Sequence, residues 1–248
     1  MKSISTILLS AALLTGAAYN TYAMPAATVK VSDAANEIQD RHLSGFNAVD
    51  VEGSVDVYIV QGQTESVKVE APADMMDHII TEVQGNTLRI HDKNSSGWHW
   101  GNWGTHKKIA VYVSVREIHE IGVTGSGDVY FKEGIRANSL RIRVSGSGDV
   151  QGIVETKTLD CSISGSGDMK LVGHAEQSNV SVSGSGDYSA RGLATQNTAV
   201  RVSGSGDANI NVSNSLEAAV SGSGDVSYTG GAQHVVKSKS GSGDISGN

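Results

Sequence analysis

The chain has 248 residues, of which 30 are glycine, two are phenylalanine and one is cysteine. Its formal net charge of −7 disfavours nucleic-acid binding, which needs a basic face, and its single cysteine excludes an internal disulfide. The composition also excludes a core of large aromatic rings, whereas the glycine content favours many backbone sites with unusual φ angles.

The first predicted element is a secretory signal peptide over residues 1–23. Lys2 supplies the positive start, and an apolar run over residues 4–18 follows it. Thr21 and Ala23 provide the small residues that precede a cleavage site. The alternative, a membrane anchor, needs about 20 apolar residues, and this run is shorter. We therefore expect export to the periplasm, the outer cell surface or the medium, with no membrane span after signal removal.

The next two predicted segments are a loose arm over residues 24–40 and an N-terminal β region over residues 41–120. Strand-like runs in this β region begin at Phe46, Val55, Glu65, Thr87 and Lys108. A short helix is predicted for residues 73–81. The run GSVDV at residues 53–57 resembles a worn copy of a motif that recurs later. We expect this region to open the later repeat and block its first edge.

A loop of unusual composition, NSSGWHWGNWGTHKK, spans residues 94–108. It holds five candidate ligand-binding residues: Trp98, His99, Trp100, Trp103 and His106. Clustered exposed aromatic rings mark binding sites, so we expect a carbohydrate or a surface protein as the partner. One alternative is a plug whose rings pack over the end of the sheet. A metal site is disfavoured, because two histidines without a nearby cysteine or acid are too few ligands.

The rest of the chain, residues 121–248, repeats the motif Ser/Thr-Gly-Ser-Gly-Asp seven times. The motif aspartates are Asp128, Asp149, Asp168, Asp187, Asp207, Asp225 and Asp244, with spacings of 21, 19, 19, 20, 18 and 19 residues. Such a period is typical of a solenoid in which each repeat forms one coil. Apolar and polar residues alternate before each motif, as in Ile142, Arg143 and Val144, which predicts β-strands.

The motif itself is predicted to be a structural turn, because a β-coil must reverse direction at a tight corner. Its glycines permit positive φ, and its aspartate can accept hydrogen bonds from nearby amides. The predicted turn residues are the motif aspartates with Gly125, Gly127, Gly146, Gly148, Gly165, Gly167, Gly184, Gly186, Gly204, Gly206, Gly222, Gly224, Gly241 and Gly243.

Stacked coils would place successive motif carboxylates about 5 Å apart, where each pair repels by about 1 kcal/mol in water. We expect nearby basic residues such as Arg141, Arg143 and Arg201 to neutralise the column. The alternative is a calcium ladder, since carboxylate and carbonyl oxygens suit calcium. Known calcium β-rolls have a period of about nine residues, roughly half of the period here, so we expect no metal and no cofactor.

The last coil departs from the pattern, because its inward positions hold Lys237 and Lys239. Terminal repeats of solenoids turn polar and so block open-ended stacking, which makes these lysines a predicted cap. The alternative is a slipped register in which both lysines point to solvent.

These features together resemble the GIN domain, the head domain of an autotransporter-adhesin family of secreted bacterial proteins. The residues that carry the resemblance are the leader, the opening F..V.V.G..DVYIVQG over 46–62, the run NTLRI over 86–90 and the GSGD corners. The resemblance covers about residues 40–248 and implies a right-handed β-helix-like fold of the pectin-lyase type with a role in adhesion. This chain carries no C-terminal membrane-barrel strands, so self-export is not expected.

The sequence favours a binding module over an enzyme. It holds no G-x-S-x-G with a triad context, no H-E-x-x-H and no phosphate loop. Polysaccharide lyases of the pectin-lyase type need an irregular carboxylate cluster with calcium and a basic residue, whereas the acids here recur once per coil. We predict a non-enzymatic, exported binding or adhesion module. The alternatives are a polysaccharide-active enzyme and a calcium-stabilised structural rod.

Overall fold

A computed structural model describes residues 36–93 and 109–248, and strands account for most of these ranges. The strands are β1 (Asn36–Asp40), β2 (Ala48–Gly53), β3 (Asp56–Gln61), β4 (Ser66–Pro72), β5 (Ile79–Gln84), β6 (Thr87–Asp92), β7 (Ala110–Val115), β8 (Glu120–Gly125), β9 (Val129–Gly146), β10 (Val150–Gly165), β11 (Met169–Gly184), β12 (Tyr188–Gly204), β13 (Ala208–Gly222), β14 (Val226–Thr229), β15 (His234–Gly241) and β16 (Ile245–Gly247). The predicted signal peptide, the arm up to residue 35 and the tryptophan-rich loop lie outside the described residues.

Each GSGD motif lies at a corner between two faces of a β-solenoid of about seven turns. The leading face consists of β2, β6, β8, β15 and the C-terminal halves of β9 to β13, which precede the corners. The trailing face consists of β3, β7, β14, β16 and the N-terminal halves of β9 to β13. Successive coils pair in parallel, with equivalent glycines such as Gly146, Gly165 and Gly184 in register. The predicted all-β solenoid with GSGD corners is confirmed.

Apolar columns that run from coil to coil form the core, as the alternation of the sequence predicts. One column of the leading face contains Ile121, Ile142, Cys161, Val180, Val200 and Ala218, and its neighbour contains Val123, Val144, Ile163, Val182, Val202 and Val220. All twelve residues are buried. Burial of apolar area, at about 25 cal/mol per Å2, together with the backbone ladders, stabilises a chain that has no internal disulfide.

The N-terminal β region does not stack in chain order. The first coil, β2 and β3, lies between two coils that come later in the sequence. On the leading face β2 pairs with β6 on one side and β8 on the other, and on the trailing face β3 lies between β7 and β9. Antiparallel strands then close this end, because β5 pairs with β6, β4 with β7, and β1 with β4.

Gln61 bridges the place where the chain leaves the first coil. Its side-chain Nε2 donates to the carbonyls of Arg116 and Arg136 at 3.1 and 3.0 Å, and its Oε1 accepts from the amide of Arg136 at 2.8 Å. A glutamine carboxamide carries one acceptor and two donors, so it can stand in for a backbone peptide. The side chain thus supplies hydrogen bonds that a continuous coil would make through its backbone.

Two segments near this end differ from the sequence-based expectation. The predicted helix over residues 73–81 is only one 3-10 turn, Met76–His78, after which β5 begins at Ile79. Ile79 is buried and pairs with Asp92, so a place in the sheet overrides the local helical pattern. Residues 36–40, assigned to the loose arm, form the exposed edge strand β1.

The lysines of the last coil keep the register of the coils before them. Lys237 pairs with Ala218 and Lys239 with Val220, so the strand has not slipped. Lys237 Nζ donates to the carbonyl of Ile245 at 2.9 Å and lies 4.9 Å from the centre of the Tyr228 ring. Lys237 therefore occupies a position that is apolar in the preceding coils, and its ammonium group donates a hydrogen bond within its own coil.

Candidate functional site

The corners are defined by two glycines with different roles. The first glycine of each motif has a φ between 118° and 132°, a region that strongly favours glycine. The second glycine lies against the equivalent residue of the preceding coil. An ideal Cβ on Gly167 would come within 2.1 Å of the Gly148 carbonyl oxygen. The worn motif joins the same column, since Ser126 donates to the carbonyl of Gly53 at 2.8 Å.

The motif aspartates form a hydrogen-bonded column between coils. In each of six steps, the amide of one motif aspartate donates to Oδ1 of the preceding one at 2.7 to 2.9 Å. Hydrogen bonds to an ionised carboxylate are stronger than neutral ones, so each step offsets part of the repulsion between neighbouring carboxylates. The sequence-based expectation placed this hydrogen bond within a turn, whereas the structure places it across the stack.

The arginines that were expected to neutralise this column pair elsewhere. Arg143 forms an ion pair with Glu120, and Arg201 lies 3.1 Å from Glu217. Arg141 lies 3.8 Å from Glu120 and 3.9 Å from Asp160. These arginines stand five or more residues before their motif aspartates, on the outer surface of the leading face. Their distance from the corner explains why the expectation was wrong.

Replacing one interior aspartate tests the column. Asp168→Ala removes the acceptor for the Asp187 amide, and we expect a loss of about 1–2 kcal/mol in the free energy of unfolding. Asp168→Asn keeps an acceptor oxygen and should cost less. Asp244→Ala is the matched control, because among the described hydrogen bonds its carboxylate accepts none from a following motif. Equal losses for Asp168→Ala and Asp244→Ala in urea titrations would contradict the role of the column.

Calcium is expected to leave the stability unchanged. One oxygen of each of the first six motif carboxylates already accepts an amide hydrogen bond. Within residues 36–93 and 109–248, no group of three or more acidic, histidine or cysteine side chains could hold a metal ion. Thermal melting curves in millimolar calcium and in chelator should therefore coincide. A calcium-dependent rise of several degrees would instead favour the calcium-stabilised rod, since a ligand that binds only the folded state stabilises it.

The strands on both sides of the tryptophan-rich loop lie on different faces. The candidate residues Trp98, His99, Trp100, Trp103 and His106 lie outside the described residues. β6 ends at Asp92 on the leading face, and β7 begins at Ala110 on the trailing face. Because β6 pairs with β2 and β7 with β3, these two strands correspond to β2 and β3 of the neighbouring coil. The sequence gives no sign of this equivalence.

Charged side chains cluster on the leading face near this end. Arg89 forms an ion pair with Glu52, and this hydrogen bond raises the pKa of the Arg89 guanidinium. Partial burial, with the negative charges of Glu52 and Glu120, raises the pKa of the Asp50 carboxyl above its usual value. The Asp50 carboxylate occupies the space above Gly122, where an ideal Cβ would lie 2.6 Å from its oxygen. The fold thus holds an acid in a partly desolvated position, where Arg89 and Arg143 offset part of the effect of the acidic neighbours.

Three tyrosines stack on the outer surface of the trailing face. The Tyr58 ring lies between those of Tyr112 and Tyr130, with centroids 5.3 and 5.2 Å apart. The hydroxyl of Tyr130 donates to Asp128 at 3.0 Å, and that of Tyr112 donates to Glu70 at 2.8 Å. Burial and then the bond to Asp128 raise the pKa of Tyr130 to about 12. The neighbouring rings cover each other's faces, which suits a structural ladder better than a stacking platform for a ligand.

The single cysteine is placed as a core residue. Cys161 is buried in an apolar column, and burial raises the pKa of its thiol to about 12. A thiol that stays protonated at neutral pH is a poor nucleophile. Cys161 therefore offers no covalent chemistry at the protein surface.

Comparison with known proteins identifies a family and solved structures that resemble this chain. Residues 45–232 match the family described as "Putative auto-transporter adhesin, head GIN domain". A "putative adhesin" of known structure from Bacteroides fragilis is 25% identical, with a TM-score of 0.80, over 86% of this chain and 97% of that one. A "putative lipid binding protein" from Parabacteroides distasonis is 22% identical, with a TM-score of 0.68, over 87% and 98% of the two chains. No curated protein matches the sequence.

Proposed function

From the premise that the chain belongs to the autotransporter-adhesin head GIN-domain family, we propose that it is a non-enzymatic binding module of the bacterial envelope with an adhesive role. The observation that carries the proposal is the family match over residues 45–232, supported by the fold shared with the "putative adhesin" from Bacteroides fragilis. Fold alone does not fix function, so the proposal also needs a surface that can bind.

The solenoid supplies such a surface, because its outward side chains repeat at the fixed spacing of the strands, about 4.8 Å. The residues on both sides of the first corner glycine are exposed in all seven motifs; they are serines, as Ser145 and Ser147 are, except for Thr124. A continuous parallel ladder holds these columns without long loops between coils. Long polar faces of this kind suit contact with an extended ligand or a surface, rather than chemistry on a small enclosed substrate.

The tryptophan-rich loop is the part of the chain that we assign to ligand contact. Trp98, Trp100 and Trp103, with His99 and His106, supply aromatic and polar groups within nine residues. Aromatic residues carry a large share of binding energy at protein interfaces. A carbohydrate or a surface protein is the partner class that we propose for them.

Export completes the proposal. The predicted signal peptide over residues 1–23 would deliver the protein to the periplasm, the cell surface or the medium, and an adhesive role requires the cell surface. No helix in the described part of the chain is long and apolar enough to cross a membrane. Protease added to intact cells would distinguish surface exposure from a periplasmic location, because only an exposed protein is cleaved.

The test is a binding screen on immobilised glycans, matrix proteins and lipid vesicles. Wild-type protein should bind at least one glycan or protein, and Trp98→Ala/Trp100→Ala should lower that binding by about tenfold or more. Tyr112→Ala is the matched control, because it removes an exposed aromatic ring that is not part of the loop. Equal binding by wild type and the tryptophan variant would remove the loop from the proposal. Turnover of acidic polysaccharides, read as ultraviolet absorbance of unsaturated product, would favour the enzyme alternative.

A further inference from the structure

We propose that the outer surface of the leading face carries a second binding site, the arginine depression, which takes a linear polysaccharide bearing carboxylate or sulfate groups. The depression is lined by Arg141, Arg143 and Arg201, with a floor of small or polar side chains, and has a volume of about 210 Å3. This inference rests on the proposed binding function, but it uses residues that are not part of the tryptophan-rich loop.

The register of the strands creates the depression. Arg143, Ser162, Ser181 and Arg201 occupy one outward column, in that order along the stack. Two arginines are therefore separated by two serines, and three strand spacings place their backbones about 14 Å apart. The adjacent outward column contributes Arg141, followed by Asp160, Asn179 and Ala199. Long guanidinium side chains thus border a floor of short side chains.

The depression brings basic groups together on an acidic protein. Its lining holds three arginines and one aspartate, and Glu120 and Glu217 pair with Arg143 and Arg201 beside it, so the local charge is zero on a chain with a formal net charge of −7. An anion therefore meets less repulsion here than on the acidic parts of the surface. Its attraction to the depression comes from the guanidinium donors rather than from net charge.

The arginines retain donors for a ligand. Arg201 gives one hydrogen bond to Glu217 at 3.1 Å, and Arg143 gives one to Glu120. Arg141 lies beyond hydrogen-bond distance of both its acidic neighbours, at 3.8 and 3.9 Å. Each guanidinium carries five N–H donors in a planar fork that fits a carboxylate or sulfate. The side chains are about half to two-thirds exposed, so these donors can reach solvent.

The floor favours a hydroxylated ligand over a lipid or a nucleic acid. Ser162 and Ser181 present hydroxyls, and the Asn179 carboxamide donates to Asp160 at 2.8 Å, which fixes its orientation. The exposed side chains of the depression include no aromatic ring for base stacking and no apolar channel for an acyl chain. The serine hydroxyls and the Asn179 carboxamide can form hydrogen bonds with sugar hydroxyls, and the arginines on both sides can bind anionic groups spaced along the same sugar chain.

The experiment compares two charge-matched double variants of the full chain. Arg141→Gln/Arg201→Gln removes two arginines of the depression, and Arg136→Gln/Arg191→Gln removes two arginines elsewhere on the surface. Arg136 pairs with Glu155, and Arg191 donates to Asn209, so the control also breaks two exposed contacts. Binding to immobilised polygalacturonate, dextran sulfate, neutral dextran and anionic lipid vesicles is measured by biolayer interferometry, with thermal melting as the folding control.

We expect binding to at least one acidic polysaccharide and none to neutral dextran. The depression variant should lose about tenfold or more in affinity, because two charge-assisted contacts are removed, while the control should stay within about twofold. Preference for polygalacturonate or dextran sulfate identifies the carboxylate or the sulfate as the recognised group. Equal loss in both double variants would show bulk charge only and overturn the proposal, as would binding to vesicles alone or to no acidic polysaccharide.

The adhesive function can be judged separately, because the tryptophan variant and the depression variant alter different residues. If the depression variant keeps full binding while the tryptophan variant loses it, the second site is refuted and the proposed function stands.

Discussion

Alanine at Gly165 is expected to destabilise the solenoid by about 3–5 kcal/mol, a loss in the range of severe point mutations. Gly165 has a φ of 126°, which strains any residue with a Cβ. The new Cβ would also lie 2.3 Å from the carbonyl oxygen of Gly146 in the preceding coil. That oxygen belongs to the backbone ladder and accepts the Ser166 amide at 2.8 Å, so it has little freedom to move.

Two further glycine variants separate strain from collision. Gly167→Ala adds a Cβ 2.1 Å from the Gly148 carbonyl oxygen at a residue without positive φ, and we expect a loss of about 2–4 kcal/mol. Gly231→Ala adds a Cβ in open space at a φ of 74°, and we expect a loss of about 1 kcal/mol. Chemical denaturation followed by circular dichroism gives all three values. If Gly231→Ala cost as much as Gly165→Ala, close stacking of the corners would be contradicted.

Phe131→Ala is expected to cost about 3–5 kcal/mol, because Phe131 is fully buried and its ring fills space in the next coil. Phe131 on β9 pairs with Gly152 on β10, and an ideal Cβ on Gly152 would lie 1.9 Å from the ring carbon Cδ2. One coil therefore contributes a large side chain and its neighbour contributes none. The loss in the free energy of unfolding should therefore reflect the unfilled cavity that the missing ring leaves.

A double-mutant cycle tests this exchange of volume. Gly152→Leu alone should be destabilising, since the new side chain meets the ring, whereas Phe131→Ala/Gly152→Leu refills part of the cavity. The double variant should be more stable than the sum of the single losses by about 1 kcal/mol or more. Gly152→Leu/Val226→Ala is the control, because β14 lies four strands from β10 and the losses should add. Additive losses for the Phe131 pair would show that the two coils do not share this space.

The fold of the repeated half of the chain could be predicted because one sequence pattern recurs seven times. Alternation of residues such as Ile142, Arg143 and Val144 identifies strands, and the period of the motif identifies coils. Corner glycines follow from the same reasoning, since only a narrow set of residues tolerates positive φ. Local signals and the global fold agree in this half, which is the condition under which sequence patterns are informative.

The N-terminal half could be predicted only as β structure. Nothing in the local pattern of β2 shows that it lies between β6 and β8, because that order depends on pairings between residues far apart in sequence. The same limit hid the positions of β6 and β7, the strands on either side of residues 94–108. Nor does the local sequence show that the Gln61 side chain takes the place of a backbone peptide in hydrogen bonds between coils.

The arginine depression could not be found from sequence for a related reason. Arg143 and Arg201 are 58 residues apart, and their shared column becomes visible only through the register of three strand pairs. The sequence-based expectation assigned them to the aspartate column because, without the motif aspartates, the bases of residues 124–248 outnumber the acids. The outward direction of the strand positions separates the two groups.

Each coil rises by one strand spacing, which holds the exposed faces rigid. Spin labels at exposed corner serines measure this directly by pulsed electron paramagnetic resonance, in a Cys161→Val background that removes the native thiol. Ser126 paired with Ser185, Ser223 and Ser242 spans three, five and six coils, so narrow distributions should lengthen by about 5 Å per coil, from about 14 to 29 Å. Broad distributions, or distances that do not grow with the number of coils, would contradict the solenoid and the binding faces built on it.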